Sequence, residues 1–149
     1  MRQARGFTLI ELLVVFAILA LLMGLAPVAF NRMQDGAQYR DTVRTMLSQL
    51  RAARYRSMAE GREIRFAVDL NDRRYGIDDA EPRTLPETLN LRATVAGVEM
   101  ENSGSAAIRF LPDGGATGGS IEIVRSAGGG TRLRVDWLSG RVTQESLAP

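Results

Sequence analysis

The beginning of the chain differs in hydrophobic pattern from everything that follows it. Residues 7–30 read FTLIELLVVFAILALLMGLAPVAF, with Thr8 and Glu11 as the polar exceptions. The uncharged part, from Leu12 to Phe30, makes about 28 Å of helix, enough to cross a hydrocarbon core of about 30 Å. A short basic leader, residues 1–6, precedes it, so the positive-inside rule places the N-terminus in the cytoplasm. The pattern predicts a single-pass membrane helix over residues 7–30.

From Asn31 the pattern becomes that of an amphipathic helix. Charged residues are frequent up to Glu60, and one apolar series recurs at three- and four-residue spacing: Val43, Met46, Leu47, Leu50 and Ala53. Such spacing puts the series on one helical face, which predicts a core-facing surface. Gly61 is a natural stop for this helix. Residues 31–36 are weaker helix formers, so a bend and a continuous helix are both compatible with the sequence.

After Gly61 the apolar period changes from helical to alternating. Ile64, Phe66, Val68 and Leu70 alternate with mostly polar residues, which is typical of a half-buried strand. A turn follows, and a return strand starts at Tyr75. Further strands are predicted at residues 89–95, 98–100, 107–110, 120–124 and 131–137 and near Arg141–Val142, with loops at 78–87 and 112–119 and a glycine turn at 128–130.

These elements predict an α+β fold, in which a long N-terminal hydrophobic and amphipathic helix packs on a C-terminal antiparallel sheet domain. The domain boundaries we expect are a leader at 1–6, a membrane helix at 7–30 and an outer domain at 31–149. Phe66, Phe110 and Trp137 fall on strand patterns, so we expect all three in the core.

Composition excludes most routes to catalysis. The chain has no Cys and no His, and all 19 of its basic residues are Arg. Thiolate and imidazole metal sites, disulfides, His-based triads, Schiff bases and Walker A phosphate loops are therefore ruled out. The glycine-rich stretch at 113–119 lacks the spacing and the following helix of a nucleotide loop. We expect no enzyme activity, no catalytic residue, no metal site and no cofactor.

The apolar start of the chain admits three interpretations. A cleaved secretory signal would share the basic leader, and Gly24-Leu25-Ala26 offers small residues, but Pro27 directly after the cut is unfavourable. A plain membrane anchor leaves Glu11 unexplained, because an acid inside a spanning segment is costly and needs a partner. The third interpretation supplies that partner.

Gly6-Phe7-Thr8-Leu9-Ile10-Glu11, after a basic leader and before a long apolar run, resembles the prepilin motif of type IV pilins and type II secretion pseudopilins. In that family a membrane peptidase cuts after the Gly and methylates the amine of the new N-terminal Phe. The resemblance implies that the cleavage site lies between Gly6 and Phe7 and that Phe7 is N-methylated.

Glu11 is then expected to act in assembly. The new amine of Phe7 is mostly protonated near neutral pH, with a pKa of about 7.7–8. Within a bundle of apolar helices, that amine of one subunit can meet the Glu11 carboxylate of its neighbour. Breaking a buried pair strands one charge at a cost of roughly 3–5 kcal/mol. Pro27 cannot donate a hydrogen bond to the carbonyl of Met23, so we expect a helix kink there.

The outer domain extends the resemblance. Its segments LRAARYRSMAEG, REIRFAVDL, IRFLPDGGATGG and LSGRV are similar to the H-type minor pseudopilins of type II secretion and to the type IV pilus relatives FimT and FimU. The resemblance implies a fibre component near the tip of a periplasmic pseudopilus, anchored in the inner membrane before assembly. The implied partners are the other minor pseudopilins, the major pseudopilin and the prepilin peptidase and methyltransferase.

Three alternatives stay open on the sequence. A type IV pilus minor pilin that primes pilus assembly would carry the same leader. A DNA-binding minor pilin would carry a late Gly-Arg-x-Arg, whereas this chain has Gly140-Arg141-Val142-Thr143, so we expect no nucleic acid partner. An ordinary anchored periplasmic domain would keep its N-terminus uncut. The acidic loop Asp78-Asp79-Ala80-Glu81 has oxygen ligands suited to calcium, but a solvated loop is the interpretation we favour.

Overall fold

A computed structural model of the chain describes residues 8–95, 100–101, 104–126 and 128–148. For residues 24–33 and 100–101 it describes the backbone and not the side chains. The predicted cleavage residues Gly6 and Phe7 lie outside the described residues. Residues up to Ala37 form one compact unit, and Gln38–Pro149 form a second.

One helix, α1, runs from Leu9 to Glu60. Residues 31–36 are therefore helical, and Pro27 lies within the helix, although its expected kink stays a prediction. Gly61 ends the helix with a φ of 63°, a left-handed conformation that glycine adopts without strain. Within the part of the chain that the structure describes, no helix combines the length and the hydropathy needed to cross a membrane.

Within the described residues, two antiparallel sheets follow the helix. The first sheet has five described strands in the order β3-β2-β1-β6-β5, and the second has four in the order β4-β7-β8-β9. The strands are β1 Ile64–Asp69, β2 Arg74–Ile77, β3 Arg83–Thr84, β4 Leu89–Val95, β5 Met100–Glu101, β6 Ser105–Phe110, β7 Gly119–Arg125, β8 Gly130–Val135 and β9 Val142–Leu147. The expected α+β architecture is confirmed.

The core lies between the second half of α1 and the inner faces of both sheets. Val43, Met46, Leu50 and Ala53 are buried, as their helical spacing predicts, and Leu47 packs against them partly buried. The strands contribute alternating buried residues to the same cluster: Ile64, Phe66 and Val68 from β1, Ile108 and Phe110 from β6, Ile121 and Ile123 from β7, Leu133 and Val135 from β8, and Val142 from β9.

Three sequence expectations need correction. Trp137 is not in the core: β8 ends at Val135, and the Trp137 side chain is 68% exposed. The segment at 78–87 is not wholly loop, since Arg83–Thr84 pairs with β2 as strand β3. The last strand is longer than expected, because Val142–Leu147 pairs with β8 along its whole length even though most of its side chains are exposed.

Candidate assembly surfaces

The N-terminal part of α1 exposes apolar side chains on every side. Each of the following is 43% exposed or more: Leu9, Ile10, Leu12, Leu13, Val14, Val15, Phe16, Ile18, Leu19, Leu21, Leu22 and Met23. A helix that is apolar all round is stable only when other helices or lipid surround it. This segment, called here the apolar segment, therefore requires contacts from outside the monomer.

The start of the helix brings Thr8 and Glu11 together. The backbone N–H of Glu11 donates to Thr8 Oγ1 at 3.3 Å, and the N–H of Leu12 donates to the Thr8 carbonyl at 3.2 Å. Thr8 is therefore the N-cap of α1, and Glu11 lies in the first turn, where the helix dipole favours a negative charge. The Glu11 side chain is exposed and so is available to a neighbouring molecule.

The other end of the helix is held by charged side chains. Glu60 accepts hydrogen bonds from Arg56 Nε at 2.8 Å and from Arg62 Nε at 2.7 Å, and Arg62 also pairs with Asp79. The Arg56 and Arg62 guanidinium groups lower the pKa of Glu60, and Arg62 lowers the pKa of Asp79. Asp78 lies 3.6 Å from Arg65. Two acids of the candidate calcium loop thus pair with arginines, and among the described residues no group of three potential metal ligands occurs.

Arg54 connects the helix to two glycine-containing loops. Its Nε donates to the carbonyl of Ser139 at 2.9 Å and lies 3.4 Å from the carbonyl of Gly114. Gly140 has a φ of 59°, and a Cβ there would lie 2.4 Å from the Gly114 carbonyl oxygen and 3.0 Å from Arg54 Nε. Only glycine permits this close approach. The PDGG and LSGRV segments are therefore neighbours in space, with Arg54 between them.

The connection between β8 and β9, residues 136–141, is a hydrogen-bonded turn. Asp136 Oδ1 accepts from the Ser139 N–H at 2.8 Å and from the Ser139 hydroxyl at 2.7 Å, which lowers the pKa of Asp136. The N–H of Gly140 donates to the Asp136 carbonyl at 2.9 Å, and the N–H of Ala116 donates to the Trp137 carbonyl at 2.9 Å. This turn fixes the backbone of Trp137 and the next residue while leaving their side chains exposed.

The sequence patterns did not identify Arg54 as part of a site. An arginine on a charged helical face is typical of a solvated residue, and nothing in the local spacing indicates that it donates hydrogen bonds to distant backbone carbonyls. The glycines of the two loops carried the only signal, because closely approaching backbones require them. Of the predicted sites, Gly6 and Phe7 lie outside the described residues, Pro27 is described by backbone alone, and Glu11 occupies the first helical turn.

Known protein families match both the N-terminal segment and the outer domain of the chain. Residues 1–27 match the prokaryotic N-terminal methylation motif, and residues 42–140 match the family described as type II transport protein GspH. The type II secretion system protein H of Xanthomonas campestris pv. campestris is 35% identical over 149 residues, covering 98% of this chain and 86% of that protein.

Two solved structures share the fold. The minor pseudopilin EpsH from the type II secretion system of Vibrio cholerae aligns with a TM-score of 0.56 and 16% identity, covering 75% of this chain and 98% of that chain. A second crystal structure of EpsH from the same system gives the same TM-score and identity, with 76% and 95% coverage. At this identity the likeness concerns the fold alone.

Proposed function

The chain belongs to the type II transport protein GspH family, and we propose that it is a minor pseudopilin near the tip of a type II secretion pseudopilus. There it supports the export of folded proteins across the outer membrane. The observation that carries this proposal is the exposed apolar segment within the region that matches the methylation motif, followed by a folded domain of the GspH type. The function is assembly into a fibre with other pseudopilins, rather than catalysis.

In the proposed maturation, the prepilin peptidase cuts between Gly6 and Phe7 and methylates the new amine. The precursor is a single-pass protein of the inner membrane, with residues 1–6 in the cytoplasm and residues 31–149 in the periplasm. The basic leader and the apolar run support this orientation. Removal of the leader leaves Thr8 as the N-cap of α1 and the methylated amine one residue before it.

Glu11 is the one ionisable residue of the apolar segment. When neighbouring helices or lipid cover the segment, its carboxylate leaves water and needs a positive partner. The amine of Phe7 on an adjacent subunit is the cation that maturation creates at the same level of the bundle. We infer that the pair sets the register between subunits, while the apolar residues around it supply most of the association energy.

Intact mass and N-terminal sequencing of the protein from its native membrane test the maturation. A chain beginning at monomethylated Phe7 is the expected result. A chain beginning at Met1, or beyond Ala26, would contradict the proposed cleavage and remove the role given to Glu11.

The role of Glu11 is tested by Glu11→Gln, which keeps the size of the side chain and removes its charge. We expect normal membrane insertion and cleavage, with strongly reduced recovery of the variant in sheared pseudopilus fibres and reduced secretion. Asp35→Asn is the matched control, because Asp35 is an exposed acid further along the same helix. Normal incorporation of the Glu11 variant would refute the register role.

A further inference from the structure

The 136–141 turn presents two exposed apolar side chains on a rigid backbone. Trp137, the single tryptophan of the chain, is 68% exposed, and Leu138 is 71% exposed. The hydrogen bonds of Asp136 and Ser139 hold the turn, and the bond from Ala116 holds its base. Tryptophan on a preorganised turn loses little conformational entropy on binding, and it is among the residues most enriched at the energetic centres of interfaces.

A basic pocket adjoins this turn. Arg51, Arg54, Arg141 and Val142 line a surface pocket of about 400 Å³. Within the described ranges no carboxylate pairs with any of the three arginines. Arg54 is already oriented, since its Nε is bound to the Ser139 carbonyl, and its terminal nitrogens remain for another acceptor. An oriented guanidinium group is well suited to bind a carboxylate through two nitrogens.

We propose that the 136–141 turn and the adjoining arginine pocket together form a docking surface for an acidic segment of a neighbouring pseudopilin. The partner supplies one or more Asp or Glu side chains to Arg51, Arg54 and Arg141, and an apolar side chain packs on Trp137 and Leu138. The inference rests on the proposed function, because it takes the partner from the same fibre.

Charge complementarity favours a protein partner with a local acidic group. The leader carries two of the 19 basic residues, so the mature chain has 17 basic against 17 acidic residues and no overall charge. A duplex binder uses a long basic track to neutralise many phosphates. Here three arginines converge on one pocket beside two apolar side chains, which suits a carboxylate on a folded surface better than a phosphate backbone.

Because the chain has no cysteine, a single introduced cysteine can be labelled selectively. In the full-length protein, Leu138→Cys is labelled with a benzophenone maleimide in membranes that contain one epitope-tagged pseudopilin of the same system at a time. We expect a photo-adduct with one of these pseudopilins. Asn90→Cys, an exposed position on β4 at the opposite edge of the second sheet, is the position control and gives no such adduct.

Charge dependence is tested in the labelled protein by combining Arg51→Glu with Arg141→Glu. The adduct should fall about tenfold or more, the loss expected for removing an interface centre. Arg92→Glu, an exposed arginine on β4, is the charge control and leaves the adduct unchanged, and Arg51→Lys with Arg141→Lys retains part of it. Equal thermal midpoints across these variants establish that the fold is intact.

Three results would overturn the proposal: no adduct with any pseudopilin, an adduct indifferent to the arginine variants, or salt-sensitive binding of a 30-base-pair DNA duplex that the same variants abolish. The N-terminus of the same sample is sequenced in parallel. A start at Phe7 without an adduct refutes the docking surface alone, whereas a start at Met1 refutes the proposed function itself.

Discussion

The two units of this chain use the same apolar residue types in opposite ways. Phe16, in the apolar segment, is 63% exposed, whereas Phe66, on β1 in the second unit, is fully buried in the core. The unit from Gln38 onward buries most of its apolar side chains by itself, although Trp137 and Leu138 remain exposed. The apolar segment leaves its surface uncovered, so its stable state depends on molecules outside the monomer.

Polar groups show the same contrast. In the second unit the buried Ser57 hydroxyl lies 2.8 Å from the carbonyl of Arg54 and 3.1 Å from that of Leu111, and Arg73 donates to the carbonyls of Pro86 and Leu89. Glu11 in the apolar segment has its backbone N–H capped, but its carboxylate faces outward. Among the described residues, the second unit pairs most of its buried polar side chains internally, with Gln49 Oε1, Arg73 Nε and Thr88 Oγ1 as exceptions, whereas the apolar segment leaves its acid exposed.

The strongest test of this contrast replaces one phenylalanine in each unit. Phe66→Ala should destabilise the second unit by about 3–5 kcal/mol, because it removes a fully buried ring from a close-packed core. Phe16→Ala should leave the denaturation midpoint unchanged and reduce fibre incorporation instead. Urea unfolding of the full chain in detergent, followed by the circular dichroism of the sheets, measures the stability of both variants. Recovery in sheared fibres measures incorporation. A lower urea midpoint in the Phe16 variant would show that the apolar segment stabilises the folded unit.

A second test concerns the close approach at Gly140. Gly140→Ala forces a side chain into a left-handed backbone, which costs about 1–3 kcal/mol, and adds a contact of 2.4 Å with the Gly114 carbonyl oxygen. Gly61→Ala is the matched control: its φ is 63°, but nothing lies within 4 Å of the added Cβ. The Gly140 variant should have the lower thermal midpoint of the two. Equal midpoints would mean that the contact is relieved at no cost.

A substitution at Tyr39 tests whether contacts at the start of the second unit stabilise α1 locally. Its hydroxyl forms a 2.7 Å hydrogen bond with Thr131 Oγ1, and its ring lies 5.0 Å from the Arg125 guanidinium carbon. Tyr39→Phe keeps the ring and removes the hydroxyl, so we expect a loss of about 0.5–1.5 kcal/mol in unfolding free energy. Hydrogen exchange should quicken around residues 38–42 and not at the Glu60 end. Uniform quickening would contradict a local hold.

The smallest effect is a pH dependence confined to the second unit. Glu60, Asp79 and Asp136 have pKa values lowered by hydrogen bonds in the folded state. Their contribution is therefore fully present above the unfolded pKa values, about 3.9–4.3, and is lost as pH falls through the lower folded values. Thermal midpoints should decline modestly from pH 6 to pH 3, and less steeply in Asp79→Asn. An unchanged slope in that variant would show that the ion pair of Asp79 does not cause the pH dependence.

Much of the second unit was predictable because its burial follows simple periods. Val43, Met46 and Leu50 recur with the helical period, and β1 alternates cleanly, so local pattern and final packing agree. The last strand was underestimated because it lies at a sheet edge, where the solvent side places no demand for apolar residues. Pairing with β8, which depends on backbone groups rather than on side chains, determines its true length.

Trp137 shows why a period alone can mislead. It is in phase with Leu133 and Val135, and the pattern predicts a third inward residue. Asp136 interrupts the strand instead, because its carboxylate accepts two hydrogen bonds from Ser139 and turns the chain. The proposed cleavage and methylation sites, Gly6 and Phe7, rest on motif resemblance, since processing by another protein leaves no periodic pattern of core residues in a sequence.

The strand order has a consequence for synthesis. Ile64 in β1 pairs with Phe110 in β6, and the second sheet is complete only when β9 has paired with β8 as far as Leu147. The core face of the helix, made early, therefore has no complete partner until Val142 of β9 has emerged. Such long-range closure is slow and leaves apolar surface open to misassembly in the interval. A ribosome that stops before β9 releases a chain whose β8 edge is unpaired, so synthesis of β9 is itself a condition for a complete second sheet.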